Sequence, residues 1–149
     1  MSMLDVKLTH VFDIRIDFDD RRMVFGPISG GDKQGYTPLK GGTVTGPRLN
    51  GRVMEMSGAD FAVVRNDGVL EAYAHYMLEA DDGTPIYIHN RGYLYNLQPN
   101  APGPAYFRCT PYFRAPVGRH DWLNRTVIVG GGERHSKPDH TIFRYFAVE

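Results

Sequence analysis

The chain has almost no cysteine or tryptophan, no excess of either charge and no long apolar run. Cys109 is the only cysteine and Trp122 the only tryptophan. A single thiol excludes an intramolecular disulfide and any zinc site built on several cysteines. Lysine plus arginine total 17, as do aspartate plus glutamate. The chain therefore lacks the basic excess of a dedicated nucleic-acid or anionic-membrane surface. No stretch approaches the roughly 20 apolar residues of a transmembrane helix. Residues 1–18 alternate instead of forming the apolar core of a signal peptide. The expectation is a cytoplasmic protein with neither nucleic acid nor membrane as a partner. Helical signals are missing too: no segment reads as an amphipathic helix. Gly130-Gly131-Gly132 lacks the Lys-Ser/Thr and the helix of a phosphate loop, as does Gly30-Gly31. No cofactor is implied.

What the chain does have is glycine (17), proline (10), tyrosine (9) and phenylalanine (8) within 149 residues. That mix favours strands and tight turns. A chain of this length makes one domain, residues 1–149, able to bury a core without staples. Val6, Leu8, His10, Phe12, Ile14, Ile16 and Phe18 share one face of a first strand, and only Val11 breaks the alternation. Further strands are expected at 23–28, within the glycine-rich stretch 40–56, at 60–65 and at 69–80. Others follow at 85–97 (bulged near Gly92), 105–114, 122–129 and 140–148. Asn66-Asp67-Gly68 and Asp81-Asp82-Gly83 are hairpin turns. Gly130-Gly131-Gly132 is expected to end the strand before it, and Glu133–His140 to form a surface loop. About nine or ten strands joined by tight turns favour an all-β, single antiparallel up-and-down barrel, lipocalin-like, with a two-sheet sandwich as the alternative.

The motifs GGTVTGPRLNGRV, GADF, NDGV, AHYML, DDGTPIYIHNRG, YFRCTPYF and WLNRTVIVG, in that order, resemble the domain-of-unknown-function family numbered 3237. The resemblance runs from about residue 26 to the C-terminus and implies a compact all-β barrel. No general activity comes with it. The chain departs from the family pattern at Tyr73 and His75, where Asp and Arg are more frequent, so no shared chemistry carries over to those two positions.

Three groups of residues are candidates for a site. On the strand 70–78, Glu71, Tyr73, His75 and Met77 alternate with Leu70, Ala72, Ala74, Tyr76 and Leu78. If the first set faces a barrel interior, His75 is a general acid or base, Glu71 its proton partner and Tyr73 an oxyanion donor. If the second set faces inward, it is simply the apolar core face and the polar set meets water. Tyr106, Arg108 and Thr110 share one face of a later strand, opposite Phe107 and Cys109. Arg48, Arg91 and Arg108 each suit a bidentate grip on a carboxylate, or a structural ion pair. Trp122 and Asn124 form the third group, as a pocket wall and its polar neighbour or as core packing. No metal site is expected: Glu133, His135, Asp139 and His140 do not have ligand spacing. Cys109 reads as an inert buried thiol.

Two functions from different classes follow. One is a cofactor-independent acid–base enzyme (isomerase, lyase or hydrolase) acting on an aromatic or carboxylated metabolite. The other is a non-catalytic barrel that binds such a small molecule. A third reading, a homo-oligomeric structural domain, rests on exposed tyrosines among Tyr93, Tyr95 and Tyr112.

Overall fold

The computed structural model describes residues 2–149. Eleven strands account for most of the chain: β1 (Leu8–Phe18), β2 (Met23–Phe25), β3 (Lys33–Thr45), β4 (Gly51–Val53), β5 (Ala59–Asp60), β6 (Val63–Val64), β7 (Leu70–Ala80), β8 (Pro85–Tyr95), β9 (Tyr106–Arg114), β10 (Ile128–Ser136) and β11 (Asp139–Val148). They form one antiparallel sheet in the order β1-β11-β10-β9-β8-β7-β4-β3-β2, and β1 also pairs with β3. That extra pairing closes the sheet into a barrel. β4, β5 and β6 each pair with both β3 and β7, so together they fill one position in the ring of eight. Closure rules out the sandwich and leaves only the short β2 as an outer edge.

The lumen is packed by the alternate residues of each strand. Phe12, Ile14 and Ile16 enter from β1, Tyr76 and Leu78 from β7, Ile86 and Ile88 from β8, and Phe143 and Tyr145 from β11. Val11, the exception to the sequence pattern, is explained by a bulge. The β1–β11 register shifts between His10 and Phe12, and Val11 and Phe12 are both buried. A bulge places two residues against one partner and reverses the parity of the residues before it, which is why Val6 and Leu8 are exposed.

Two expectations fail at the C-terminal third. Residues 121–124 form a short 3-10 helix, not the start of a strand. Gly130-Gly131-Gly132 lies inside β10, and Glu133–Ser136 continue that strand into a tight turn. The reason is steric. A Cβ on Gly130 would meet the Tyr145 ring at 2.6 Å, and one on Gly132 the Phe107 ring at 2.6 Å. The glycines stay extended and leave room for large rings from neighbouring strands. β8 runs straight through Gly92 without the expected bulge.

One end of the barrel is sealed. Trp122 packs edge-on to Phe12 with ring centroids 6.4 Å apart, and Leu123 is buried beside it. Arg48 lies over the indole at 3.8 Å, a cation–π stack. Asn124 holds the loop behind them: its amide donates to the Ala115 carbonyl (2.8 Å) and accepts from the Ala115 N–H (2.7 Å). No helix among the described residues is long and apolar enough to cross a membrane.

Candidate functional site: a groove on the outer wall

The strand parity resolves the central ambiguity of the sequence. On β7, Ala72, Ala74, Tyr76, Leu78 and Ala80 are buried, whereas Tyr73 is 40% exposed. Glu71, Tyr73 and His75 therefore face outward, and the expectation that His75 looks into a hollow barrel is corrected. The apolar set is larger and more continuous, and burying it wins over burying an imidazole and a carboxylate.

The outward residues are nevertheless organised. A groove of about 770 Å³ crosses the outer wall from β7 to β11. Its floor is backbone. Ala72 is in register with Gly92, Gly92 with Cys109, and Cys109 with Gly130. Side chains one residue to either side make the rims. One rim carries Glu71, Tyr93, Arg108 and Arg144, and the other Tyr73, Arg91, Thr110, Val129 and Phe146. Between Arg108 and Arg144 stands Gly131, whose missing side chain opens the first rim. Tyr106 and Leu8 extend the lining. The structure thus brings together five of the nine residues singled out from the sequence: Glu71, Tyr73, Arg91, Tyr106 and Arg108.

The other four lie elsewhere. His75 stands just beyond the groove. Its ring stacks on His89 (centroids 4.0 Å apart), lies 5.1 Å from the Tyr73 ring, and its Nδ1 is 2.5 Å from the Tyr87 hydroxyl. Partial burial, then the neighbouring His75 and Arg91, push the His89 pKa down. Arg48, Trp122 and Asn124 belong to the sealed end described above, so their expected place beside a ligand gives way to packing and loop capping.

The electrostatics of the groove favour an anion. Glu71 is 3.7 Å from Arg65. Arg144 is paired with Asp13 (3.2 Å). Burial alone would raise the Asp13 carboxyl, but hydrogen bonds from Arg144 and His10 outweigh it and hold it below the usual range. Arg91 and Arg108 have no carboxylate partner among the described residues. Arg91 lies over the Tyr73 ring at 5.4 Å, and Arg108 donates to its neighbour's carbonyl (Phe107, 2.9 Å). They are diagonal neighbours on β8 and β9, a spacing of roughly 7–8 Å that long side chains bridge. Tyr95 and Tyr106 stack at 4.8 Å at the groove's end. Beneath the floor, burial pushes the Cys109 thiol up to about 11, so it is no nucleophile at neutral pH. Among the described residues, no three His, Cys, Asp or Glu side chains converge as a metal site.

With this geometry in hand, comparison with known proteins is informative. Residues 6–148 match the family described as Protein of unknown function (DUF3237). The chain belongs to that family. DUF3237 relatives include the UPF0311 protein CA_C3321 of Clostridium acetobutylicum, 27% identical over 157 residues, with 99% of this chain and 97% of that protein covered. Another is the UPF0311 protein RPA1785 of Rhodopseudomonas palustris, 32% identical over 109 residues, covering 66% of this chain and 71% of that protein. Among solved structures, a β-barrel-like protein of Acinetobacter baumannii superposes with a TM-score of 0.87 at 27% identity, covering 97% of each chain. An enzyme of Penicillium herquei superposes with a TM-score of 0.75 at 19% identity, covering 100% of this chain and 98% of that one; at that distance the likeness concerns the fold.

Sequence reasoning missed Arg144; it set Thr110 on the face of Arg108 without a binding role and named Tyr93 only as an exposed tyrosine for an oligomer contact. The signal for a binding role was available for both: each sits two residues from a candidate site residue, on the same strand face. Arg144 needed the β10–β11 register.

Proposed function

We propose that this barrel binds a small aromatic carboxylate in the outer-wall groove. The observation that carries the reading is the pair Arg91 and Arg108, two guanidinium groups without carboxylate partners among the described residues, set among Tyr73, Tyr93 and Tyr106 in a concavity of about 770 Å³. A guanidinium fork suits a carboxylate, and tyrosine faces suit a ring. Ligand pockets of soluble proteins have this size and this mix of apolar surface with few polar anchors.

Titration with naphthalene-2-carboxylate, followed by NMR or calorimetry, tests it. Saturable binding is expected. Arg108→Ala and Arg91→Ala should each weaken it about tenfold or more, the loss of one charge-assisted contact. Naphthalene-2-methanol should bind at least as weakly as the carboxylate binds to either variant. Equal affinity of wild type and the double variant for the carboxylate would refute the site.

A second reading, acid–base catalysis on the same ligand class, is favoured by the contact of His75 with Tyr87 and its position beside Tyr73. It assigns proton transfer to His75 with Glu71 and Tyr73. The Penicillium herquei fold relative is described as an enzyme. Turnover of a candidate metabolite that is unchanged in His75→Ala and Glu71→Gln would eliminate it.

A further inference from the structure

The histidines of the chain divide by partner. His10, His120 and His135 each pair with a carboxylate, at 2.8, 3.0 and 2.6 Å. His75 and His89 pair with each other. They stand opposite one another on β7 and β8, and their rings stack with centroids 4.0 Å apart and planes 14° from parallel. Neither imidazole has a carboxylate partner among the described residues. The pair touches the groove directly. Tyr73, which lines it, lies edge-on to His89 at 4.5 Å and 5.1 Å from His75, and Arg91 lies over the same Tyr73 ring at 5.4 Å.

The groups that face the pair are phenols and cations. β8 presents Tyr87 and Arg91. β9 presents Tyr112, in register with His89, and Arg114, which lies over the Tyr87 and Tyr112 rings at 6.0 and 5.6 Å. β5 presents Ala59 opposite His75, and the neighbouring Asp60 accepts the Tyr73 N–H (2.8 Å) from the lumen side. Glu71, further along β7, is engaged by Arg65 at 3.7 Å. Two imidazoles stacked this closely do not both ionise, because like charges in contact repel. Burial, then His75 and Arg91, hold the His89 pKa down, and its Nε2 is buried without a hydrogen-bond partner. The one proton that the pair takes up therefore resides on His75, whose Nδ1 meets the Tyr87 hydroxyl at 2.5 Å.

We propose that the His75–His89 pair regulates the groove, one proton on it adding a positive charge behind Tyr73 and Arg91 that tightens the hold on an anionic ligand in acid. The inference rests on the reading of the groove as a carboxylate site. Without a ligand the added charge faces the Arg91 guanidinium and is opposed by it. With a carboxylate between Arg91 and Arg108 it gains an attraction instead. A unit charge roughly 7–10 Å from the carboxylate, across a surface half in water, is worth about threefold in affinity. By linkage the ligand favours the proton to the same degree, so binding takes up protons from solution.

Calorimetry of naphthalene-2-carboxylate binding to the full chain, from about pH 8 to about pH 5.5, tests it. The wild type should bind about threefold more tightly at the acid end. Between the two, the apparent enthalpy should vary with the ionisation enthalpy of the buffer in the sense of proton uptake, a readout that needs no variant. In the double variant His75→Gln, His89→Gln the ratio of acid to alkaline affinity should fall to about one. His10→Gln, which removes the imidazole beside Phe146 and Asp13 at the far end of the groove, should keep the wild-type ratio. Any binding of naphthalene-2-methanol should be independent of pH. Saturable carboxylate binding with no tightening in acid or no proton uptake would overturn this proposal and leave the groove reading standing. So would tightening that survives in the double variant, disappears in His10→Gln, or is matched by the alcohol. No binding at any pH would overturn both.

Discussion

On β7, Glu71 and Tyr73 face the outer groove while Ala72, Ala74 and Tyr76 face the lumen, one residue apart. The outer wall carries its charges in water, where pairing is optional: Arg144 has Asp13 as a partner, and Arg91 and Arg108 have no carboxylate partner among the described residues. The lumen carries few polar groups, and burial makes each costly unless it is paired. Asp60 and Asp82 show the difference within one residue type. Asp82, in an exposed turn, is bonded by the Thr84 hydroxyl and N–H and then by His120, and its pKa falls to about 2. Asp60 inside the barrel moves the other way. A polar side chain is thus a binding feature on the outside and an energetic demand on the inside.

That contrast can be broken or sharpened by substitution, the largest effect coming from the sealed half of the lumen. Phe12→Ala removes a fully buried ring packed on Phe113, Trp122 and Tyr145, and urea denaturation should show a loss of about 3–5 kcal/mol. Gly130→Ala should cost about 1–3 kcal/mol by driving a methyl group into the Tyr145 ring. The same change at Gly131, whose Cβ would meet only the end of the Arg108 side chain at 3.0 Å, should be nearly neutral. Equal losses at 130 and 131 would contradict the assignment of inside and outside. Asn124→Ala, which gives up two loop hydrogen bonds, should lower stability by about 1–2 kcal/mol and leave ligand binding in the groove intact.

The aspartates give the smallest effects but opposite signs. The Asp60 pKa is raised on folding, so between its unfolded value near 3.8 and its folded value the native state holds the extra proton. Stability from this group falls as pH rises through that window. Asp60→Asn should therefore stabilise the protein at neutral pH and not in acid. The Asp82 pKa is lowered, so its contribution is present above 3.8 and disappears as pH falls towards 2. Asp82→Asn should weaken the fold at neutral pH and not at pH 2. Denaturation midpoints across pH check both. Slopes of the same sign would show that Asp60 does not face the lumen.

Much of this molecule is legible in the order of its residues. The long strands β1, β7, β9 and β11 follow from alternation with a period of two, and the turns at Asp67-Gly68 and Asp82-Gly83 from residues that accept positive φ. Arg91, Arg108 and Tyr106 were recognisable as polar positions on strand faces. β10 was misjudged, because three glycines in a row read as a breaker until the Tyr145 and Phe107 rings that occupy their space are known. The 3-10 turn at Asp121–Asn124 was misjudged because Trp122 and Leu123 suit a strand equally well.

Alternation divides each strand into two faces and names their members. Which face is inside, and which residues of distant strands become neighbours, depends on the register of every pairing around the closed ring. Only the tertiary structure sets Arg108 beside Arg91, turns His75 outward, and brings Asp60, Asn90, Tyr76 and Tyr145 to one lumen, because a one-residue slip in any strand would exchange its two faces and disperse both clusters.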